Sequence, residues 1–434
     1  MKHETFHYSS WNDVMETSKA FHAFLPEGKD LSCLFQPLAI ASHTSANRIA
    51  LQPMEGTDGN SDGAPGEYTI RRYERFAKGG AGLIWFEAVA SAPEVRASAR
   101  QLIITEKNVD EFKRLTDRMR EIGIRENGYA PVIIMQATNS GRYSKPEGVP
   151  APLIAYNNPV LEDTPIDISR ILTDDQLKAY EEKFYDMSRL AQEAGFDGMD
   201  VKCCHRYLAC ELLSAYTREG EYGGSFENRT RFLRNAYAYA KAAIKSKSFF
   251  LTSRLNAYDG FPYPWGFGVQ EGNGIEPEIS EAVQLVKILK HDFDIPLINI
   301  TIGNPYKNPH VNRPYDRGNY VPDEHPLEGE SRMMKCVSRI QKENPDIPVI
   351  GSAFSYLRTL SPILAAGMIE NGCMQMAGFG RMAFAYPDFV NDLKNNGSLN
   401  PKRVCISCGQ CAQLLRQGIP AGCVVRDNSV YKAL

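Results

Sequence analysis

Two groups of residues have the types and spacing to carry chemistry. Four cysteines crowd into one C-terminal segment as Cys405-x2-Cys408-x2-Cys411-x11-Cys423, and the other six of the ten are scattered. Three thiolates in one tight run, with a fourth a short way on, suit a cubic iron–sulfur cluster, whose irons each take one thiolate. A zinc site usually divides its ligands into two separated pairs, so structural zinc is the lesser alternative. The second group lies in DVKCCHRYLACELLSAYTREGEYGGSFENRTRF, residues 200–232. A buried strand there runs out at Lys202, Cys203 and Cys204, then presents His205 and Tyr207. Lys202 and His205 can donate hydrogen bonds and Tyr207 can deliver a proton. Together they can polarise a carbonyl and protonate the adjacent carbon.

Something must hold these groups at one place, and the hydrophobic pattern says what. Short apolar runs at 48–54, 81–86, 131–136, 198–203, 249–256, 296–302, 348–353 and 375–380 read as strands buried on both faces. Helical patterns lie between them, at 174–194, 228–245, 278–290, 330–342 and 356–366 among others. Thr173 ahead of Asp174-Asp175 is a cap-like entry to the first of these. Eight strands each followed by a helix predict an α/β fold, a (β/α)8 TIM barrel, over an open doubly wound sheet. Long connections at 141–172 and 257–277 follow the third and fifth strands, where a barrel builds its catalytic face. The division expected is an N-terminal extension (1–34), the barrel (35–396) and a small cysteine segment (397–434).

Composition removes several classes. The chain has 434 residues, 43% hydrophobic and 23% charged, so it can bury a large core. Lys and Arg number 49 against 52 Asp and Glu, a formal charge of -3, which is no footprint for nucleic acid or an anionic membrane. No run approaches the roughly 20 apolar residues of a membrane helix. The first thirty residues do not read as a secretory signal, and clustered cysteines in such a chain fit a cytoplasmic protein.

The stretch at 200–232 resembles the signature of the Old Yellow Enzyme family of FMN-dependent reductases. Asn47-Arg48-Ile49 with Gln52-Pro53-Met54 is similar to that family's first strand, and Gln136 with Gly141-Arg142 to its third-strand motif. Arg254 falls on its fifth-strand arginine, and Gly378-Phe379-Gly380-Arg381 resembles its phosphate loop. Gly378-x-Gly380-x-x-Ala383 also matches a relaxed dinucleotide fingerprint, but no βαβ unit follows it. The cysteine segment resembles the subgroup of 2,4-dienoyl-CoA reductase and trimethylamine dehydrogenase. The resemblance implies FMN, with Pro53, Met54 and Glu55 near its reactive edge and Gln136 and Arg254 at the polar edge of the ring. It implies that backbone N–H groups around Ser352, Ala353, Phe354, Gly380 and Arg381, with the Arg381 side chain, hold the phosphate.

Three departures matter. Lys202 stands where most members have His, so a substrate carbonyl meets an ammonium and an imidazole, or a neutral lysine base. Glu55 replaces a small or polar residue, or the cysteine that bonds covalently to the flavin, so FMN is expected to be noncovalent. An anion there would disfavour the anionic reduced flavin and lower its potential. The chain also ends soon after the cysteines, without the nucleotide-binding domains of the larger relatives. Electrons are then expected from NAD(P)H directly, or from a ferredoxin, flavodoxin or reductase partner; a homo-oligomer is compatible. The function expected is an ene-reductase acting on a small α,β-unsaturated carbonyl or carboxyl compound, with a 4Fe–4S relay. An amine dehydrogenase passing electrons through the cluster is one alternative, with Phe261, Tyr263 and Trp265 as aromatic faces. A non-redox lyase using Lys202, with zinc at the cysteines, is the other.

Overall fold

In the computed structural model, residues 4–316, 318 and 320–432 are described. A hairpin of β1 (Leu38–Ile40) and β2 (His43–Ser45) precedes a parallel sheet. The sheet comprises β3 (Ile49–Leu51), β4 (Leu83–Ala90), β5 (Val132–Thr138), β6 (Gly198–Val201) and β7 (Phe250–Thr252). It continues with β8 (Arg254–Asn256), β9 (Ile298–Thr301), β10 (Val349–Gly351) and β11 (Met376–Phe379). Its order is β7-β6-β5-β4-β3-β11-β10-β9-β8, so the two ends are consecutive pieces of one strand broken at Ser253. The sheet therefore closes on itself as an eight-stranded α/β barrel, the (β/α)8 TIM-barrel arrangement expected.

Each predicted strand is present, and the pleat explains why the runs are apolar throughout. Ala50, Leu83, Trp85, Val132, Ile134, Phe250, Leu297, Ile350 and Met376 fill the barrel interior, with Ile40 of the hairpin in the same cluster. Their neighbours Ile49, Leu51, Ile84, Ile133, Ile298 and Val349 belong to the larger core. Both faces are thus buried, so no polar alternation is left to read.

The first helices are α1 (Trp11–Lys19), α2 (Glu67–Lys78), α3 (Val109–Asn127), α4 (Asp174–Glu193), α5 (Leu208–Leu212) and α6 (Phe226–Ala242). After them come α7 (Ser280–Phe293), α8 (Pro309–Asn312), α9 (Pro326–Glu343) and α10 (Ser361–Glu370). The last are α11 (Arg381–Ala385), α12 (Phe389–Asn396), α13 (Gln410–Arg416) and α14 (Asn428–Tyr431). The entry to α4 is a capping box: Gln176 N–H donates to Thr173 Oγ1 at 3.3 Å, and Thr173 N–H to Gln176 Oε1 at 2.9 Å. Among the described residues no helix is long and apolar enough to cross a membrane.

The segment after α12 lies against the barrel. Ala421 N–H donates to the Gly56 carbonyl (2.7 Å), Thr57 Oγ1 to the Ile419 carbonyl (2.6 Å) and Arg71 bidentately to Asp427 (2.7 and 2.9 Å). The loop after β3 is therefore joined to the segment that carries the cysteines.

Candidate active site

At the C-terminal ends of the strands lies a cleft. Pro53, Met54, Glu55, Gln136, Lys202, His205, Tyr207, Arg254, Ser352, Ala353, Gly380 and Arg381 all line it. These residues come from six separate stretches of sequence, and the barrel brings them to one face. Phe354 is the exception by side chain: its ring is buried against Phe379 (5.4 Å), so only its backbone is available to the site.

The polar edge is organised by a residue the sequence reading passed over. Asp200, fully buried, accepts from Trp85 Nε1 (2.8 Å), Gln136 Nε2 (2.6 Å) and the Arg254 N–H (2.8 Å). Burial pushes its carboxyl up to about 6, against those three donors. Three donors need an acceptor, so the ionised form fits the arrangement at neutral pH. Arg254 Nε is buried with no hydrogen-bond partner among the described residues, and this guanidinium lines the cleft. Replacing Asp200 by Asn places an NH2 against donors and leaves at least one unsatisfied, a loss of about 1–3 kcal/mol. The expected result is a lower melting temperature and freer release of flavin, read by calorimetry and by fluorescence of the filtrate.

Lys202, His205 and Tyr207 are aimed by a strained turn. His205 (φ 63°) and Arg206 (φ 62°) are consecutive left-handed residues with side chains, a conformation that persists only where the surroundings over-determine it. Arg206 supplies that determination. Fully buried, it donates to Asp259 (2.8 Å), Tyr156 Oη (3.1 Å) and Ser214 Oγ. Arg142 has a comparable structural task, donating to Glu211 (2.7 Å) and Glu162 (2.5 Å) and pinning the long connection after β5.

Burial holds the His205 imidazole well below its usual range, with Arg254, Lys202 and Arg313 adding to the effect, so it is neutral. Asn312 Nδ2, which donates to Thr301 Oγ1 and the Ile302 carbonyl, stands 3.4 Å from His205 Nε2. The same burial lowers Lys202, whose Nζ sits 3.6 Å from the centre of the Tyr207 ring. Tyr207 moves the other way: burial, then Tyr306 and Glu55, raise its phenol well above the ordinary value. Its hydroxyl is 3.0 Å from that of Tyr306, and Tyr306 stacks on Tyr143 at 3.9 Å.

Glu55 is half-buried at the cleft, and burial raises its carboxyl above the usual value, opposed by Lys202 and by the Tyr207 hydroxyl. Ala353 takes φ 81° before the turn that follows, and a Cβ at Gly380 would meet Met54 Sδ at 2.8 Å. Arg313 adds a third cation beside Arg381 and Arg416; burial and those two neighbours push it down to about 10. Phe261, Tyr263 and Trp265 do not line the cleft; Trp265 instead stacks on Tyr156 at 6.4 Å.

Cys405, Cys408, Cys411 and Cys423 surround one small cavity of their own, and none is in a disulfide. Cys411, Arg381 and Phe384 line both this cavity and the main cleft. Backbone N–H groups of Ser407 and Arg426 point at the sulfurs of Cys405 and Cys423, each at 3.4 Å. Among the described residues no three His, Cys, Asp or Glu side chains form a group that could hold a single metal ion.

Residues 33–311 match the NADH:flavin oxidoreductase / NADH oxidase family. The chain belongs to that family. That family is one of flavin oxidoreductases, which speaks against the non-redox lyase alternative. It is 34% identical to an NADPH dehydrogenase of Bacillus subtilis over 46% of this chain. It is 28% identical to an NADH oxidase of Thermoanaerobacter brockii over 92%, and 26% identical to a cinnamate reductase of Clostridium sporogenes over 90%. Each match spans 57% of the relative's own length. A solved 2-naphthoyl-CoA reductase shares the fold at TM-score 0.73 and 19% identity, covering 91% of this chain and 57% of that one.

The arrangement fits FMN on its own terms. Arg254 Nε, buried with no hydrogen-bond partner among the described residues, and the left-handed Ala353 on the cleft that Arg381 also lines suit a ring edge and a phosphate. Asn312 ends α8 and Arg313 follows it, where no local pattern announced them; Tyr306, an aromatic that the sequence also offers for a substrate, lies on the loop between β9 and α8.

Proposed function

We propose that this protein is an ene-reductase that saturates the C=C bond of an α,β-unsaturated carbonyl or carboxyl compound. The observation that carries the reading is the convergence of Lys202, neutral His205 and protonated Tyr207 on one wall of the FMN cleft. Reduced FMN, when bound, supplies a hydride for the β-carbon. Lys202 and the ring N–H of His205 hold the substrate oxygen and take up the negative charge that develops there. Tyr207 gives its proton to the α-carbon. Arg254 and Gln136 orient the ring's polar edge, and Arg381 with Arg313 balances the phosphate. The cinnamate reductase relative, named for an unsaturated acid, supports this reading.

The four cysteines fit a 4Fe–4S cluster, which supplies one-electron transfer when present. Four sulfurs around a void, two of them facing backbone N–H groups, support it over a single zinc ion. An amine dehydrogenase reading is disfavoured, because Lys202, Arg254, Arg313, Arg381 and Arg416 line the cleft against the one carboxyl of Glu55. A cationic amine would enter an already cationic site.

The test is an anaerobic spectrum with iron, sulfide and zinc analysis, followed by NADH, NADPH and dithionite. Flavin bands over a broad shoulder, bleached by a nicotinamide nucleotide and restored by an enoate or enone, are expected for a self-sufficient reductase. Bleaching by dithionite alone assigns the donor role to a ferredoxin, flavodoxin or reductase. Restoration of colour by none of the unsaturated compounds overturns the reading. Replacing Cys408, which does not line the main cleft, by Ala is expected to remove iron and sulfide and to leave bound flavin in place. Full iron retention in that variant removes Cys408 from the ligand set.

A further inference from the structure

Tyr207 raises a problem that the proposed reaction does not solve by itself. Once its proton has gone to carbon, a phenolate is left in a buried place where the phenol is strongly preferred. No turnover can follow until that oxygen is reprotonated. Its neighbours are few. Tyr306 Oη is 3.0 Å away but is itself a buried phenol, held well up by burial and by Glu55. Lys202 lies over the ring face, not at the hydroxyl. Glu55 is the remaining group: it lines the same cleft, its carboxyl meets the Tyr207 hydroxyl, and its Oε1 is buried with no partner among the described residues.

We propose that Glu55 is the proton reservoir of Tyr207, a residue that acts through Tyr207 rather than on the substrate. The inference rests on the ene-reductase reading and adds a step to it. The Tyr207 O–H bond breaks as its proton passes to the α-carbon. The Glu55 O–H bond then breaks, its proton passes to the phenolate oxygen, and the electron pair stays on the carboxylate. Lys202, beside Glu55, stabilises the carboxylate so formed, and water entering the open cleft after product release returns the proton. The charged and titratable groups facing Glu55 are Lys202 and Tyr207 from the end of β6, Tyr306 from the loop after β9, and Asp58 on its own loop. Burial and Asp58 oppose its ionisation, while Lys202 and the Tyr207 hydroxyl favour it. A group pulled in both directions is suited to giving up a proton and taking it back.

The experiment compares wild type with Glu55→Gln and Glu55→Asp in two readouts. In infrared difference spectra near neutral pH, wild type is expected to show a protonated-carboxyl stretch that Glu55→Gln lacks. In rapid mixing with an unsaturated substrate, Glu55→Gln is expected to lose roughly tenfold or more in repeated turnover relative to its own first turnover. Millimolar formate or acetate restores part of that loss, and Glu55→Asp retains more turnover than Glu55→Gln. A merely structural role for Glu55 moves neither the ratio of later to first turnover nor the response to small acids. Absence of the carboxyl band in wild type, or an unchanged ratio in Glu55→Gln, overturns the reservoir and leaves the reductase reading standing. A wild-type protein that shows the band and is reoxidised by no unsaturated compound overturns both.

Discussion

Tyr207→Phe is expected to leave reduction of the flavin by its donor unchanged and to slow reoxidation by an unsaturated substrate about 100- to 10,000-fold, the range of a positioned general acid. The substitution is selective because of how Tyr207 is held. Lys202 Nζ rests over the face of the ring at 3.6 Å, a contact that Phe keeps, and the ring itself is fully enclosed. What Phe removes is the hydroxyl and its partner at 3.0 Å, Tyr306. Stopped-flow absorbance under nitrogen separates the two half-reactions. Equal reoxidation rates in the two proteins remove Tyr207 from the acid role. The pH dependence carries a sign as well. Tyr207 is raised well above its ordinary value and His205 is lowered well below its own, so neither changes charge near neutrality. Lys202 is lowered from the ordinary lysine value, so its ammonium is lost earlier as pH rises, and reoxidation is expected to fall on the alkaline side. Lys202→Met removes that alkaline limb.

How much of this was legible in the sequence follows from where each residue sits. The strands were readable because parallel barrel strands are buried on both faces and leave unbroken apolar runs. The boundaries were less so. The run at 48–54 contains a strand of only Ile49–Leu51, because Gln52 turns inward to a reciprocal amide pair with Asn299 (3.1 and 2.7 Å) and the chain then enters the cleft. The second strand extends to Ala90, beyond Phe86, with Glu87 buried inside it. Lys202, His205 and Tyr207 were legible because a strand end and three reactive types coincide within six residues. Asp200 was hidden by lying within the apolar run itself. Tyr306, Arg313 and Arg416 come from loops and from α13, and only closure of the barrel and docking of the last segment bring them together. The aromatic loop after β8 misled for the opposite reason: ring-rich sequence near a strand end says nothing about which way the rings face. Phe261 and Trp265 turn inward to Arg206 and Tyr156 and stabilise the loop.

The loop that carries Glu55 depends on a buried ion cluster, and breaking it is the largest structural effect expected. Arg72 on α2 donates to Asp58 at 2.5 and 2.9 Å and to Glu87 at 2.6 Å, with all three side chains enclosed. Glu87 in turn accepts the Gly56 N–H at 2.7 Å, and a Cβ at Gly56 would meet Arg72 Nη2 at 2.2 Å. The chain therefore passes directly over the guanidinium between Glu55 and Asp58, and only glycine allows it. Replacing Arg72 by Met keeps the packing volume and strands two buried carboxylates, which costs about 3–5 kcal/mol. Denaturant unfolding with flavin bound is the measurement, and a loss under about 1 kcal/mol means the cluster is not what holds the loop. The pH dependence of the loss has a definite direction. Burial already lifts Glu87 to about 7 with Arg72 in place, and a carboxyl raised in the folded state makes folding less favourable as pH climbs from its unfolded value through its folded one. Without Arg72 the Glu87 carboxyl loses the cation that opposes its burial and is raised further, so the variant's deficit is smallest at low pH and grows through neutrality. Because the Gly56 carbonyl also receives Ala421 N–H at 2.7 Å, the same substitution loosens the cysteine segment. Loss of iron is therefore expected to accompany loss of flavin in Arg72→Met, whereas Cys408→Ala loses iron alone.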